Sequence, residues 1–424
     1  LPAAKPQPSF QKWPQKYFFI RFVPNSFAMP FRACSMALPN LSPKLPHLPP
    51  TIFTTMTQMA RAYGAVNLGQ GFPDFPMDGG LTEAVCRAMQ EGHNQYAHTF
   101  GNPALREVLS QKIHSLYGLL LSSETEITIT PGGTYAISNA ITALIRPGDE
   151  VILFEPAFDS YFPNIEIMGA KPVPIALRFP GYTIPWDEVA AACTARTRMI
   201  IINSPHNPTG TLLTEDDLNR LAEITRGTDI LVLSDEVYEH LVFDGLRHHS
   251  VLAHPELQQR SLAAYSLGKV FHCTGWKIGY MAAPAYLTRE FRNHHQFNVF
   301  SVNAPMQQGL AEFLTEPARY LRLGSFFETR RDRFRAGIRD LGWTLLPAQG
   351  SYFQCVQFPL AWGNDSGEVA ARLVKEAGVA SIPVSAFYHD RTDHRVLRFC
   401  FAKSEQTLDE AVVRLQEKLP FTQN

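Results

Sequence analysis

The sequence predicts an α/β protein built on a mostly parallel sheet, followed by a smaller α+β part. Three observations carry this. Strand-like and helix-like segments alternate from Pro50 onward. The strand-like segments are near-continuous runs of Val, Ile and Leu, as suits parallel strands covered on both faces. A length of 424 residues exceeds what one hydrophobic core usually serves, so two domains are expected.

Ile52, Phe53, Met56 and Met59 recur at helical spacing and predict a helix to about Tyr63. The loop Asn67 to Pro76 interrupts the pattern, and Ala104 to Tyr117 is again an amphipathic helix. Glu126 to Thr130 reads as a strand, and Pro131-Gly132-Gly133 turns it into a helix from Thr134 to Ile145. Further buried strands are expected at Val151–Phe154, Met199–Asn203, Ile230–Ser234 and Leu262–Ser266. Thr214 is a suitable N-cap for a helix from Glu215 to Arg226. A long helix is expected from Pro317 to about Leu341, then strands at Gly350–Phe353, Val379–Ile382 and Val396–Phe401. Helices near Gly367–Glu376 and Glu405–Lys418 complete the smaller part. The expected division is a leader at 1–44, an arm belonging with the small domain at 45–85, a large domain at 86–316 and a small domain at 317–424.

Composition excludes several classes. The formal net charge is -1, so no bulk field favours nucleic acid or an anionic membrane. No segment approaches the roughly 18 uninterrupted apolar residues of a membrane helix. The 6 cysteines are scattered, with no Cys-x-x-Cys and no His-Glu-x-x-His, so no metal site is expected. The pairs His248-His249 and His294-His295 lack ligand spacing and read as ordinary histidines. The leader carries Lys5, Lys12, Lys16, Arg21 and Arg32, and no acid precedes Asp74. Such a leader suits an organellar transit peptide or upstream sequence read in frame ahead of Met29 or Met36. Its prolines and weak amphipathicity favour the second reading, with a cytoplasmic location and little order expected.

The chemistry lies at strand ends, where ligands of open α/β sheets sit. In Ser266-Leu-Gly-Lys269-Val-Phe-His-Cys-Thr-Gly275-Trp-Lys277, Lys269 alone would read as a solvated surface charge. A hydroxyl three residues before it and a second lysine eight after it are what a phosphorylated aldehyde cofactor requires. Lys269 would form the imine while Ser266 and Lys277 hold the phosphate. Burial beside a second cation would depress the affinity of Lys269 for its proton. Asp235, directly after an apolar strand, serves equally well as a helix cap or as the partner of a pyridinium nitrogen. Tyr238, at i+3 on one side of an expected helical turn, would reach the ring's phenolic oxygen. Asn207, in Asn203-Ser-Pro-His-Asn207-Pro-Thr-Gly210, sits in turn chemistry that is compatible with a bond to the same oxygen. Gly132, Gly133 and Thr134 place exposed N–H groups at a helix start, which makes an anion site. Neither Gly-x-Gly-x-x-Gly nor a Walker loop occurs.

Together these segments resemble the class I/II aminotransferases of fold type I, which use pyridoxal phosphate (PLP). The resemblance rests on Ser-x-x-Lys with the second lysine, Asp-x-x-Tyr and Asn-Pro-x-Gly, and runs from about Leu45 to the C-terminus. It is closest to the methionine aminotransferases and the kynurenine/glutamine aminotransferases, through Gly69-Gln-Gly-Phe-Pro-Asp-Phe75, Asn94-Gln-Tyr96, Ser234-Asp-Glu-Val-Tyr-Glu239, Thr274-Gly-Trp-Lys277 and Arg398-Phe-Cys-Phe-Ala-Lys403. Phe300 to Pro305 and Thr51-Ile-Phe-Thr favour the methionine branch, in which Ala-Thr is common where Gly133-Thr134 stands here. The resemblance implies a large PLP-binding domain with a seven-stranded type of sheet. It implies that Phe158, otherwise a core aromatic, stacks on the cofactor. It also implies that Arg398, otherwise a surface arginine, grips the substrate carboxylate with Gly71 and Asn207. Tyr96 would reach the phosphate of a neighbouring subunit in a homodimer with shared sites. The expected reaction is ping-pong transfer of an amino group from an amino acid to a 2-oxo acid, with Lys269, Asp235 and Tyr238 catalytic. Phe72, Phe75, Phe300 and Tyr135 are expected around the donor side chain, favouring methionine and aromatic amino acids over aspartate. The alternative is a kynurenine/glutamine aminotransferase with cysteine-conjugate β-lyase activity.

Overall fold

Helix starts follow caps written in the sequence. Thr51 accepts the Thr54 N–H and opens α1 (Ile52–Ala62); Asp78 does the same for α2 (Gly79–Gln90) through the Gly80 N–H. Asn102, with Pro103 in the first turn, opens α3 (Pro103–Tyr117), which Gly118 ends at φ 72°. Thr214 and Asp217 form a reciprocal capping box ahead of the helix Glu215–Thr225. Helix α4 (Gly133–Leu144) differs: Gly132 precedes it at φ 85° and no side chain caps it. Its first N–H groups are therefore left for another partner. The computed structural model describes residues 42–45 and 50–419. The expected leader lies almost wholly outside them.

Seven strands form the main sheet: β1 (Ile127–Thr130), β2 (Glu150–Glu155), β3 (Lys171–Ala176), β4 (Thr197–Asn203), β5 (Leu231–Asp235), β6 (Ser261–Ser266) and β7 (Gly279–Ala282). Their order is β1-β7-β6-β5-β4-β2-β3. Only β7 runs against its neighbours. Alternation along each strand divides the core between the two faces. Ile200, Ile202 and Val232 join one apolar cluster, while Met199, Ile201, Leu231 and Leu233 join the other. Edge strand β3 carries two prolines, as an edge strand can.

A second, antiparallel sheet holds β8 (Thr344–Leu345), β9 (Phe353–Gln357), β10 (Ile382–Pro383) and β11 (Val396–Cys400), in the order β10-β11-β9-β8. Val66–Asn67 pairs in parallel with Val379–Ala380, tying the segment after α1 to the C-terminal region.

Four expectations need correction. The strand placed at Gly350–Phe353 begins at Phe353: Gln349 and Gly350 both donate to the Gly210 carbonyl, and Ser351 has φ 68°. The helix expected over 317–341 breaks at Arg322 into Ala318–Leu321 and Leu323–Ile338. The strand Val379–Ile382 divides at Ser381, because its halves pair with different sheets. Tyr238 lies in a turn after β5 and not in a helix, closed by the N–H of Glu239 on the Glu236 carbonyl.

Candidate active site

The strand ends converge. β4, β5 and β6 reach the same edge of the sheet, β1 ends there at Thr130, and antiparallel β7 begins there at Gly279. Residues following these ends line one cavity of about 240 Å³. Among them are Gly132, Gly133, Thr134, Phe158, Asn207, Asp235, Tyr238, Ser266, Lys269 and Lys277, joined by Gly71 and Arg398. Three cations, Lys269, Lys277 and Arg398, face one carboxylate, Asp235. Such a lining suits anionic ligands.

Ser266 accepts the Lys269 N–H at 3.3 Å and so starts the short helical turn that carries the lysine. Lys269 Nζ donates to the Gly71 carbonyl at 2.9 Å and lies 5.5 Å from the ring centres of both Tyr238 and Tyr352. Burial lowers its pKa to about 8, and the neighbouring cations Arg398 and Lys277 act in the same direction. Asp235 is buried at the end of β5. Its Oδ2 accepts the Tyr161 hydroxyl at 2.6 Å and its Oδ1 the Val237 N–H at 3.3 Å. Burial raises this carboxyl to about 6, against the opposing pull of those two donors. A buried carboxylate with spare lone pairs can hold a proton on a ring nitrogen.

One end of the cavity is built for a multiply charged anion. The uncapped start of α4 lies beside Lys277, whose Nζ would stand 3.4 Å from a Cβ placed on Gly132. Lys277 itself takes φ 55°. Gly279 permits this close packing: a Cβ there would meet the Tyr265 carbonyl oxygen at 2.4 Å and the Gly132 carbonyl carbon at 2.9 Å. A helix N-terminus, a lysine and the Ser266 hydroxyl together suit a phosphate.

The other end is built for a carboxylate. Arg398 on β11 is buried, with one N–H donating to Asn207 Oδ1 at 2.8 Å and another to the Gly69 carbonyl at 2.9 Å. Its guanidinium carbon stands 3.9 Å from the centre of the Phe353 ring, and its Nε has no hydrogen-bond partner. Because Asn207 turns its amide oxygen to Arg398, its NH₂ group is left for the cavity. Among the described residues Arg398 forms no ion pair, and a buried arginine so placed costs stability, which a bound carboxylate would offset.

Tyr96 lies outside this cavity, 81% exposed, with its ring edge-on to Phe300 at 5.1 Å. The four rings expected around the donor side chain do not line it either. Phe75 packs on His272 and Phe326, Tyr135 donates to Asn139, and Phe72 and Phe300 are exposed. Phe53 from α1 and Phe353 from β9 line it instead. Sequence reasoning missed both, along with Tyr161. Phe53 was legible only as a helix position, and nothing local marks Tyr161 as a partner of Asp235.

Fold and site define an aminotransferase. The chain belongs to the Aminotransferase class I and II family, whose model matches residues 63–415. It is 44% identical to a methionine aminotransferase of Escherichia coli over 88% of this chain and 97% of that protein. A probable N-succinyldiaminopimelate aminotransferase of Mycobacterium tuberculosis is 39% identical, over 86% of this chain and 95% of its own length. A kynurenine–oxoglutarate transaminase of Dictyostelium discoideum is 32% identical, over 85% and 92%. A solved Escherichia coli structure, reported with a methionine aminotransferase function, superposes with a TM-score of 0.88 at 44% identity. It covers 89% of this chain and 99% of its own. The architecture is that of fold type I.

Proposed function

We propose that the chain is a PLP-dependent enzyme that takes the amino group of methionine, or of aromatic and other large apolar amino acids, and passes it to a 2-oxo acid in two half-reactions. The observation that carries this is one cavity holding a lysine of lowered basicity, a buried carboxylate and a buried arginine that forms no ion pair among the described residues. The donor set fits PLP. Ser266, Lys277, Gly132, Gly133 and Thr134 would hold its phosphate, and Asp235 its ring nitrogen. Tyr238 and Asn207 would hold its phenolic oxygen, with Phe158 against the ring and Lys269 as the covalent anchor. The cofactor, when bound, supplies the electron sink for the pair left at the substrate Cα.

This chain's residues do the rest. Arg398, fixed by Asn207 and Gly69, binds the substrate carboxylate and so orients the Cα–H bond. Lys269, as a free amine, takes the Cα proton on Nζ and gives it up again from the same atom. Phe53, Phe353, Ile137 and Ile278 supply apolar walls that exclude water. Among the described residues Arg398 is the only arginine in the lining, which supplies a clamp for the α-carboxylate and none for a second, side-chain carboxylate. This supports methionine and aromatic donors over aspartate, as do the relatives named for methionine and kynurenine. The relative named for kynurenine supports a second reading with kynurenine as the donor, to which glutamine as a donor and β-elimination from cysteine conjugates are added as part of the proposal.

The proposal extends to a homodimer with shared sites, supported by Tyr96, which stands exposed beside exposed Phe300 and away from its own cavity. It includes a large domain at 86–316 and a small one at 317–424 joined by the 45–85 arm, since the two main sheets fall on either side of residue 316. A cytoplasmic location goes with reading the leader as upstream sequence. The test is a donor panel with one 2-oxo acid held constant. Methionine or phenylalanine should exceed aspartate at least about tenfold in kcat/KM, a difference of about 1.4 kcal/mol. Aspartate as the best donor would overturn the specificity, and pyruvate and ammonia from a cysteine conjugate without any oxo acid would mark the lyase.

A further inference from the structure

Behind the cavity, on the far side of the end of β5 that carries Asp235 and of the turn after it that carries Tyr238, lies a buried polar network that the reaction does not use. Glu236 does not line the cavity. It is buried, and its carboxylate accepts four donors: the Ser234 hydroxyl at 3.0 Å, the Val251 N–H at 3.1 Å, His248 Nε2 at 2.9 Å and the Tyr265 hydroxyl at 2.8 Å. Glu239, equally buried, accepts Lys112 Nζ at 2.5 Å and the Tyr117 hydroxyl at 2.9 Å, both from α3. The Tyr265 and Tyr280 rings stack at 4.6 Å between the two carboxylates, and the Tyr280 hydroxyl lies 3.5 Å from Glu239.

The order along the chain carries the inference. Asp235 and Tyr238 face the cavity. Glu236 and Glu239, the residue after each, face away into donors supplied by α3, β6 and the segment before Val251. A turn outside regular structure has few backbone bonds of its own to hold it. Here the Glu239 N–H to Glu236 carbonyl and Leu241 N–H to Tyr238 carbonyl bonds close the turn, one bond from the Glu236 N–H to the Ala264 carbonyl ties its start to β6, and the Glu236 and Glu239 side chains add the further anchors. Burying two carboxylates is costly unless they are hydrogen-bonded, and here Glu236 takes four donors and Glu239 takes Lys112, Tyr117 and Tyr280, groups from several separate elements. We propose that Glu236 and Glu239 are positioning residues for the reaction. They clamp the turn from behind and so fix where the Asp235 carboxylate and the Tyr238 hydroxyl stand. This rests on the roles proposed above for Asp235 and Tyr238.

The test is a double-mutant cycle on the PLP-loaded enzyme, with PLP affinity of the cofactor-free protein, followed by fluorescence quenching, as a second readout. Glu236→Gln keeps the size but turns a donor toward Tyr265 and His248. It should lower kcat about tenfold or more, weaken PLP binding and leave the KM for methionine within twofold. Tyr265→Phe, which removes one donor and is milder toward folding, should move kcat and PLP affinity in the same direction by less. In an Asp235→Asn background, adding Glu236→Gln should cost severalfold less than it does in the wild type, because the part of its effect that runs through Asp235 is gone and only the part through Tyr238 remains. Full additivity with Asp235→Asn, or loss of thermal stability with kcat and PLP affinity unchanged in both variants, would overturn the inference. If Asp235→Asn alone were fully active, the reading of the site would fail instead.

Discussion

Removing the guanidinium of Arg398 should abolish carboxylate recognition and little else. Of its five N–H groups, one is held by Asn207 and one by the Gly69 carbonyl, which leaves three, including Nε–H, for a ligand. A bidentate grip on a carboxylate uses two of these. At roughly 1.5–3 kcal/mol per charge-assisted hydrogen bond, their loss comes to about 3–6 kcal/mol. Arg398→Ala should then lower kcat/KM for methionine by a factor of about 10² to 10⁴. The variant also leaves Asn207 Oδ1 and the Gly69 carbonyl without their partner, so general damage must be separated from lost recognition. The control is the methionine-derived amine that lacks the carboxylate. In steady-state assays wild type should strongly prefer methionine, while Arg398→Ala should act on amine and amino acid alike, with the amine rate within about threefold of wild type. Equal losses on both substrates, or a variant that still prefers methionine, would refute the role given to Arg398.

Other outcomes follow from the same geometry. Lys269→Ala should show no turnover while still binding PLP reversibly, as removal by dialysis would show. In the wild-type protein, burial holds Lys269 near 8 against an ordinary 10.5, so its free-amine fraction rises with pH through that value. The rate at which cofactor-free protein captures PLP, followed by absorbance, should rise with pH and level off above about 8, far below the range of an ordinary lysine. Tyr161→Phe removes a donor that stabilises ionised Asp235. The carboxyl should move further up, and the acidic limb of the kcat–pH profile should shift to higher pH, with kcat at neutral pH reduced severalfold. Gly279→Ala would drive a Cβ into the Tyr265 carbonyl and the Gly132 backbone, neither of which can rotate away. A loss of about 1–3 kcal/mol in denaturant unfolding is expected, with weaker PLP binding because the phosphate end is displaced.

The sheet was legible because its central strands are apolar runs, and such runs have few fates other than burial. Residues immediately after those runs, Asp235, Asn207, Ser266 and Lys269, were legible for the same reason: a strand end fixes where the next side chains go. Strand β3 was not, since its two prolines read as loop until its place at the sheet edge is known. Nor was β7, whose Gly279-Tyr-Met-Ala282 contains no Val, Ile or Leu to mark it as a strand. The split at Ser381 depends on contacts made far along the chain, since its two halves pair with different sheets. Aromatic residues were the weakest ground. Phe53, Phe72, Phe75 and Phe353 look alike in sequence, and only the packing of α1 and β9 against Arg398 selects the first and last for the cavity.

Transfer of an amino group from an amino acid to a 2-oxo acid in this cavity can be followed by an absorption spectrum of the PLP-loaded protein, taken before and after L-methionine and again after a 2-oxo acid. The cofactor's visible band should be lost on adding methionine and recovered on adding the oxo acid. A visible band left unmoved by methionine, aromatic amino acids and glutamine would contradict such transfer.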